Sequence, residues 1–154
     1  MTVEISDEQD DPLESVLLTD LAELVMKSEG LDAAALVSIN LVATSEIARL
    51  NQHHLGRTGP TDVLAFPIED LVAGEVPFQG ADQPPLLVGD VVICPAVVRA
   101  QAAAAAVPFD DEMALMVVHG ILHLLGYDHE VAADAESMEQ RERELLSAAG
   151  RTRP

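Results

Sequence analysis

Three of the chain's five histidines fall within one short stretch, at a spacing typical of a metal site. His119 and His123 are four residues apart, so in a helix they lie one turn apart on the same face and can direct both imidazoles at one ion. Gly126 stands where a left-handed C-terminal cap would end that helix, and the chain can then bring His129 back to the ion from another direction. We therefore predict that His119, His123 and His129 bind a metal.

Three imidazole ligands leave one coordination position open for water or substrate, which is the pattern of catalytic zinc. Structural zinc usually has four protein ligands and is rich in cysteine, whereas this chain has a single cysteine. We predict one Zn²⁺ ion per chain, although nickel, copper and iron also suit imidazole ligands. A metal that mainly stabilises the fold is the alternative interpretation.

The residue after the first histidine bears on the reaction. The three histidines and Gly126 have the relative positions found in metzincin proteases, whose pattern places a glutamate base directly after the first histidine. This chain has Gly120 there, so peptide hydrolysis is disfavoured. Cleavage of a phosphodiester depends less on a protein base if the nucleophile is the RNA 2′-hydroxyl. The same holds if the metal lowers the pKa of its bound water to roughly 7.

Two acids flank the third histidine. Asp128 and Glu130 are candidates for a proton acceptor or for a hydrogen-bond partner of an imidazole N–H, and solvated surface acids are the alternative. An atypical peptidase that recruits one of them as its base, or a hydrolase of another substrate, stays open.

The histidine run His119-Gly-Ile-Leu-His-Leu-Leu-Gly-Tyr-Asp-His129 resembles the signature of the YbeY family. Thr61-Asp-Val-Leu-Ala-Phe-Pro67 and Gly89-Asp-Val-Val-Ile-Cys94 are similar to two strand motifs of that family, and the resemblance spans roughly residues 30 to 148. It implies a bacterial metal-dependent endoribonuclease, specific for single strands, that acts in ribosomal RNA maturation at the 16S 3′ end and in ribosome quality control. Its implied partners are ribosomal RNA and the ribosome or ribosomal proteins, with no DNA. A ribosome-assembly factor that catalyses nothing is the alternative from another class.

The chain departs from this family at two positions. Many members have an arginine, thought to contact RNA, six residues before the Thr-Asp pair, and this chain has Leu55 there. Arg57 is the nearest basic residue and a candidate for the same groove. Ala65 replaces the family's serine, which removes a hydroxyl from that region.

The other candidates lie beside predicted strands. Thr61 and Asp62 are candidates for lining the groove or orienting the site, and a role in the turn at the strand end is the alternative, since Asp commonly accepts hydrogen bonds from nearby backbone donors. The same two interpretations apply to Asp90.

Net charge argues against a free-standing RNA-binding surface. Eight basic residues against 27 acidic ones give a formal net charge of −19, whereas proteins that bind nucleic acids usually neutralise phosphates with Lys and Arg. Either the metal and a few arginines supply local positive charge, or a partner protein or the ribosome delivers the RNA.

Composition predicts one domain over residues 1–154. A hydrophobic content of 49% in 154 residues is enough for one buried core. The sequence has no run of the roughly 20 apolar residues that span a membrane and no secretory layout near its first residues, so we expect a cytoplasmic protein without a membrane partner. Cys94 is expected to be buried and inert.

Hydrophobic periodicity predicts an α+β fold with a small mixed sheet of about four strands and about five helices. The last helix is expected to direct Met138 to the core and its acids to water, and residues 151–154 are expected to fray. His53 and His54 are interpreted as solvent-facing residues near a helix end. The predicted strands are 2–6, 35–43, one containing Val63 and Phe66, and 86–93, the last interrupted at Gly89-Asp90, with an exposed loop between Glu69 and Pro85. The predicted helices are 11–30, 44–53 with Thr44 or Ser45 as its cap, 95–106, the metal helix with carboxylates at 110–112 in its first turn, where the dipole favours them, and 132–149.

Overall fold

A four-stranded mixed sheet forms the centre of this computed structural model, which describes residues 2–154. The strands lie in the order β1-β2-β4-β3, with β3 antiparallel to β4 and the other pairs parallel. The predicted α+β class, strand number and helix number are confirmed. The elements are β1 (Thr2–Glu8), α1 (Ser15–Ser28), β2 (Ala35–Val42), α2 (Thr44–Leu55), β3 (Val63–Pro67), β4 (Leu86–Ile93), α3 (Pro95–Ala105), α4 (Phe109–Leu124) and α5 (Ala132–Ala148).

Strand β4 is covered on both faces, as its nearly continuous apolar sequence requires. Val91 and Ile93 belong to the larger core cluster, which includes most of α4. Val92 and the buried Cys94 belong to a smaller cluster with Ile47 of α2. Because side chains alternate along a strand, α4 and α2 lie on opposite faces of the sheet.

Helix α4 is the most buried helix and approaches the sheet very closely. Its first turn carries Asp110, Asp111 and Glu112, where the helix dipole favours negative charge, as predicted. Further along, a β-carbon on Gly120 would lie 2.6 Å from Val91 Cγ1, so the helix at this point tolerates no side chain without displacing the strand residue. This contact fixes the depth at which α4 packs on β4.

Two helix starts differ from the predictions. Helix α1 begins at Ser15 and not at Asp11-Pro12, because Gln9 and Asp11 exchange hydrogen bonds that hold a bend before it. Helix α2 has Ala43 as its N-cap, whereas the sequence favoured Thr44 or Ser45. The Thr44 hydroxyl instead lies 3.7 Å from Cys94 Sγ. The contact between Thr44 and Cys94 is tertiary, so local propensity could not predict it, whereas the bend at Gln9 and Asp11 is local and was not predicted.

The segment 68–85 has no helix and only an isolated bridge between Val72 and Glu75, in agreement with the predicted loop. At its end, strand β4 has a register irregularity opposite Leu36 and Val37, next to Gly89. Gly89 has a φ of +140°, and a β-carbon there would lie 2.5 Å from the Phe66 carbonyl oxygen. The predicted interruption at Gly89-Asp90 is therefore a bulge within one strand.

Residues 151–154 are held in place, so the prediction that they fray was wrong. The Arg151 backbone N–H donates to the Leu146 carbonyl at 2.8 Å, and its guanidinium lies 2.8 Å from Asp111. Arg153 forms an ion pair with Glu142. Among residues 2–154, no helix has both the length and the apolar character needed to cross a bilayer.

Candidate metal centre

The three predicted histidines converge on one point. His119 and His123 lie on one face of α4, with their Nε2 atoms 3.1 Å apart. The His129 ring centroid is 5.5 Å from that of His119 and 4.8 Å from that of His123. One ring nitrogen from each residue lies within 4.8 Å of the other two. Among residues 2–154, this is the one cluster of three or more metal-ligating side chains with such spacing.

Gly126 makes the turn that returns His129 to α4. Its φ is +99°, its N–H donates to the His123 carbonyl at 3.1 Å, and the Tyr127 N–H donates to the Leu122 carbonyl at 3.0 Å. This pair of bonds is a Schellman motif, which confirms the predicted left-handed cap. A side chain at Gly126 would also collide with the Leu71 carbonyl.

Hydrogen bonds fix which nitrogen of each helical imidazole carries the proton. His123 Nδ1 lies 3.0 Å from the Tyr127 carbonyl oxygen, which can only accept, so Nδ1 must donate. His119 Nδ1 lies 2.8 Å from Glu142 Oε2 and donates to that carboxylate. In the neutral imidazoles the Nε2 atoms therefore carry lone pairs, and these face each other.

A cation between the two lone pairs would resolve this arrangement. Two unprotonated nitrogens cannot hydrogen-bond each other, so their approach to 3.1 Å is unfavourable without a positive charge between them. Zinc–nitrogen bonds of about 2.0–2.1 Å at tetrahedral angles place two ligand nitrogens about 3.3 Å apart. The observed spacing fits such an ion.

The pKa values of the surrounding groups favour the charge states that a metal requires. Burial lowers the pKa of His123, and the neighbouring His119 and His129 lower it further, so the imidazole is neutral at pH 7. Burial alone would raise the pKa of Glu142, but the hydrogen bond from His119 and the charge and hydrogen bond of Arg153 together lower it. Glu142 is therefore an anion.

Sequence reasoning missed Glu142. The last helix was expected to direct its acids to water, but the Glu142 side chain is 1% exposed. The signal was present, because Met138, Glu142, Leu145 and Leu146 share one helix face and the other three are core residues. A single carboxylate on an apolar helix face is buried with its neighbours, so it needs a buried hydrogen-bond partner. Met138 lies in the core, as predicted.

A second network anchors the returning loop. The Tyr127 hydroxyl donates to Glu29 at 3.2 Å, and Arg141 of α5 donates to the same carboxylate at 2.5 Å. Glu29 follows α1, and its side chain is nearly buried. The loop between His123 and His129 is thus tied to two other helices.

This chain is similar to known proteins over nearly its whole length. A sequence model of the family described as Endoribonuclease YbeY matches residues 4–150. The chain belongs to the YbeY family. A protein of Acidothermus cellulolyticus named Endoribonuclease YbeY is 42% identical over 149 residues, with 96% of this chain and 91% of the relative covered. The Bacillus subtilis protein of the same name is 36% identical over 152 residues, with 97% and 96% covered.

A solved structure shares the fold of this YbeY chain. The solution structure of a Thermotoga maritima protein superposes with a TM-score of 0.60 at 30% sequence identity. The match covers 97% of this chain and 92% of the other.

The strand-end candidates in this YbeY chain form hydrogen bonds with residues other than the three histidines. Asp62 Oδ1 accepts the Val63 N–H at 2.7 Å and lies 3.2 Å from the Thr61 hydroxyl, so the pair closes the turn before β3. Asp90 accepts a short hydrogen bond from Ser38 of β2. Within residues 2–154, no hydrogen bond connects Thr61, Asp62 or Asp90 to the three histidines.

The acids beside His129 form hydrogen bonds with neither helical imidazole within residues 2–154. Asp128 Oδ1 accepts the backbone N–H of His129 at 2.7 Å, and Glu130 is exposed. In the part of the chain that the structure describes, neither carboxylate hydrogen-bonds an imidazole; Glu142 and the Tyr127 carbonyl have that role.

Arg57 lies in the exposed loop after α2. Gly56, with a φ of +64°, ends that helix, and the Asn51 side chain donates to the Gly59 carbonyl at 2.9 Å, so the loop is held at both ends. The Arg57 guanidinium makes no ion pair within residues 2–154. His53 and His54 are exposed in the last turn of α2, as interpreted from the sequence.

Proposed function

We propose that this chain is a zinc-dependent endoribonuclease that cleaves single-stranded ribosomal RNA, in 16S 3′-end maturation and ribosome quality control. The observation that carries the proposal is the convergence of two imidazole lone pairs 3.1 Å apart, with His129 beside them. The relatives named Endoribonuclease YbeY support the RNA-cleaving activity. Zinc as the ion and the ribosome as the partner are parts of the proposal.

His119, His123 and His129 would hold the ion. When bound, zinc supplies a Lewis acid that polarises a phosphoryl oxygen and lowers the pKa of water. Glu142 and the Tyr127 carbonyl keep Nδ1 protonated and Nε2 free on the helical pair. Asp128 holds the His129 backbone, which orients the third ligand.

The glutamate of metzincin proteases has no place in this site. The position after the first histidine is Gly120, whose face of α4 is pressed against Val91. A glutamate there would point into the sheet and not toward the histidines. This packing favours phosphodiester chemistry over an ordinary peptidase mechanism.

Surface charge shapes how RNA reaches the site. Six of the arginines pair with carboxylates of the chain itself, namely Arg49, Arg99, Arg141, Arg143, Arg151 and Arg153. Within residues 2–154, Arg57 and Lys27 are the basic side chains without such a partner. We propose that Arg57 contacts a phosphate and that the ribosome or a bound partner delivers the RNA.

The test is cleavage of a ribosomal RNA fragment by chelator-treated and zinc-restored protein, in wild type and His123→Ala. We expect zinc to restore cleavage in the wild type and not in the variant. His53→Ala removes an exposed histidine outside the cluster and should cleave like wild type. Circular dichroism checks that each protein is folded.

Equal cleavage by wild type and His123→Ala would overturn the proposal. A folded wild type that binds zinc and cleaves no RNA would instead favour a ribosome-assembly factor with a structural metal.

A further inference from the structure

The segment that follows α5 returns toward the metal centre. Gly150, with a φ of +75°, turns the chain, and the Arg151–Asp111 ion pair holds it against the first turn of α4. Arg153 is thereby placed beside Glu142, with its Nε 3.2 Å from Glu142 Oε1. Its side chain is 23% exposed, so this contact is partly shielded from solvent.

Glu142 divides its two oxygens between two partners. Oε2 accepts the hydrogen bond from His119 Nδ1 at 2.8 Å, and Oε1 accepts the one from Arg153. The carboxylate is 1% exposed, so water cannot replace a missing partner easily. A buried anion is tolerated only where partners satisfy it, and removal of one partner is costly.

Arg153 is also surrounded by further acidic side chains. It lies 3.9 Å from Glu139, and its positive charge acts on Glu112 as well. The negative charge of Asp62 raises the pKa of Glu112, and the charge of Arg153 opposes this effect. Without Arg153, the carboxylate that holds His119 would face uncompensated negative charge.

We propose that Arg153 is a positioning residue of the metal centre, which acts through Glu142 to hold the His119 imidazole. The inference rests on the proposed metal site, because it assigns Arg153 an effect on metal affinity. Arg153 holds Glu142 in a fixed orientation through Oε1, and Glu142 accepts from Nδ1 of His119 through Oε2, which leaves Nε2 aimed at the ion. Partners of this kind raise ligand basicity and fix ring orientation.

The test is zinc affinity, measured by competition with a chromophoric chelator, for wild type, Arg153→Met and Glu142→Gln. Loss of a residue that hydrogen-bonds a ligand typically costs about 10–100-fold in metal affinity, and we expect that for Glu142→Gln. Arg153 acts one contact further away, so Arg153→Met should lose about three- to tenfold. Arg153→Lys keeps the charge and should lose less.

The matched control is Arg143→Met. Arg143 lies on the same helix as Glu142 and pairs with Glu139 at 3.5 Å, but has no hydrogen bond to Glu142. Its removal should leave zinc affinity unchanged. Thermal unfolding of the metal-free proteins separates the roles, because a purely structural Arg153 would change unfolding and leave affinity intact.

A double-mutant cycle decides whether Arg153 acts through Glu142. In the Glu142→Gln background, Arg153→Met should have little further effect on zinc affinity, whereas independent effects would multiply and contradict the proposal. If Arg153→Met bound zinc as tightly as the wild type, the role of Arg153 would be overturned and the proposed metal site would be unaffected. If the wild type itself bound no zinc, the proposed function would fail first, and the role of Arg153 with it.

Discussion

The histidines of α4 are oriented by the protein before any metal is bound. A backbone carbonyl, which can only accept, sets the tautomer of His123, and an ionised carboxylate sets that of His119. Both imidazoles therefore present Nε2 without further rearrangement. Such preorganisation reduces the ordering cost that metal binding would otherwise carry.

Glu112 gives a prediction about pH. Burial raises the pKa of Glu112, and the negative charge of Asp62 raises it further, with Arg153 in partial opposition. A raised pKa means that the folded protein binds this proton more tightly than the unfolded chain does. The charged carboxylate thus lowers the free energy of unfolding above its folded pKa, and this effect vanishes below the ordinary glutamate value of 4.5.

We accordingly expect Glu112→Gln to raise the free energy of unfolding at pH 7 and to lose this gain as the pH falls below 4.5. Urea denaturation across that range measures it. Asp110→Asn removes a charge from the same helix turn at an exposed position and should give no gain. Equal gains in both variants, or a gain that persists in acid, would contradict the assignment.

The contact between α4 and β4 depends on one missing side chain. A β-carbon at Gly120 would lie 2.6 Å from Val91 Cγ1 and 3.1 Å from its Cγ2. Alanine favours a helix over glycine by roughly 0.5–1 kcal/mol, whereas overpacking a core costs about 1–3 kcal/mol. The free-energy cost of overpacking should therefore exceed the gain in helix propensity.

Gly120→Ala is therefore expected to lower the free energy of unfolding by about 1 kcal/mol, as the difference of those two effects. In a Val91→Ala background the clash is gone, so the same substitution should become neutral or stabilising. Chemical denaturation of the four proteins gives the coupling energy. Strict additivity would show that the two side chains do not compete for this space.

The elements that sequence predicts well are those with strong local signals. The Gly126 cap and the acidic first turn of α4 follow from residue preferences and were found as predicted. The start of α1 follows a local bend held by Gln9 and Asp11, which the helical periodicity did not reveal. The cap of α2 lies beside Cys94, and this tertiary contact is not encoded by local patterns.

The candidate site shows the same division. The spacing of His119 and His123 on one helix and the cap at Gly126 predicted that His129 would converge with them. Glu142 and Arg153 come from the last helix and the segment after it, and they join the site only through the tertiary arrangement of α4 and α5. The apolar stripe around Glu142 signalled burial but could not name the partner.

Across the molecule, the arginines are mostly used internally. Arg57 and Lys27 are the basic side chains within residues 2–154 that pair with no carboxylate of the chain. A protein that neutralises Z phosphates of a single strand shows a salt slope of about −0.7Z in log affinity. Two free cations therefore predict a slope near −1.4, by the arithmetic of two times about 0.7.

We expect naked single-stranded RNA to bind weakly with this shallow slope, and Arg57→Ala to flatten it by about 0.7. Fluorescence anisotropy in a salt series measures both. Arg49→Ala is the control, because Arg49 is bound to Glu46 at 2.7 Å. Tight binding with a slope steeper than about −4 would mean that RNA recruits the paired arginines, against delivery by a partner.

The contact at Gly120 also constrains how this chain can evolve. Two of the four glycine codons become glutamate codons through a single base change, so the carboxylate of the metzincin pattern is close to a glycine in mutational terms. In this protein that step inserts a charged side chain against Val91, which is fully buried, and it cannot be kept unless the strand has already changed. A glutamate at position 120 therefore requires an earlier substitution at Val91 that makes room for it.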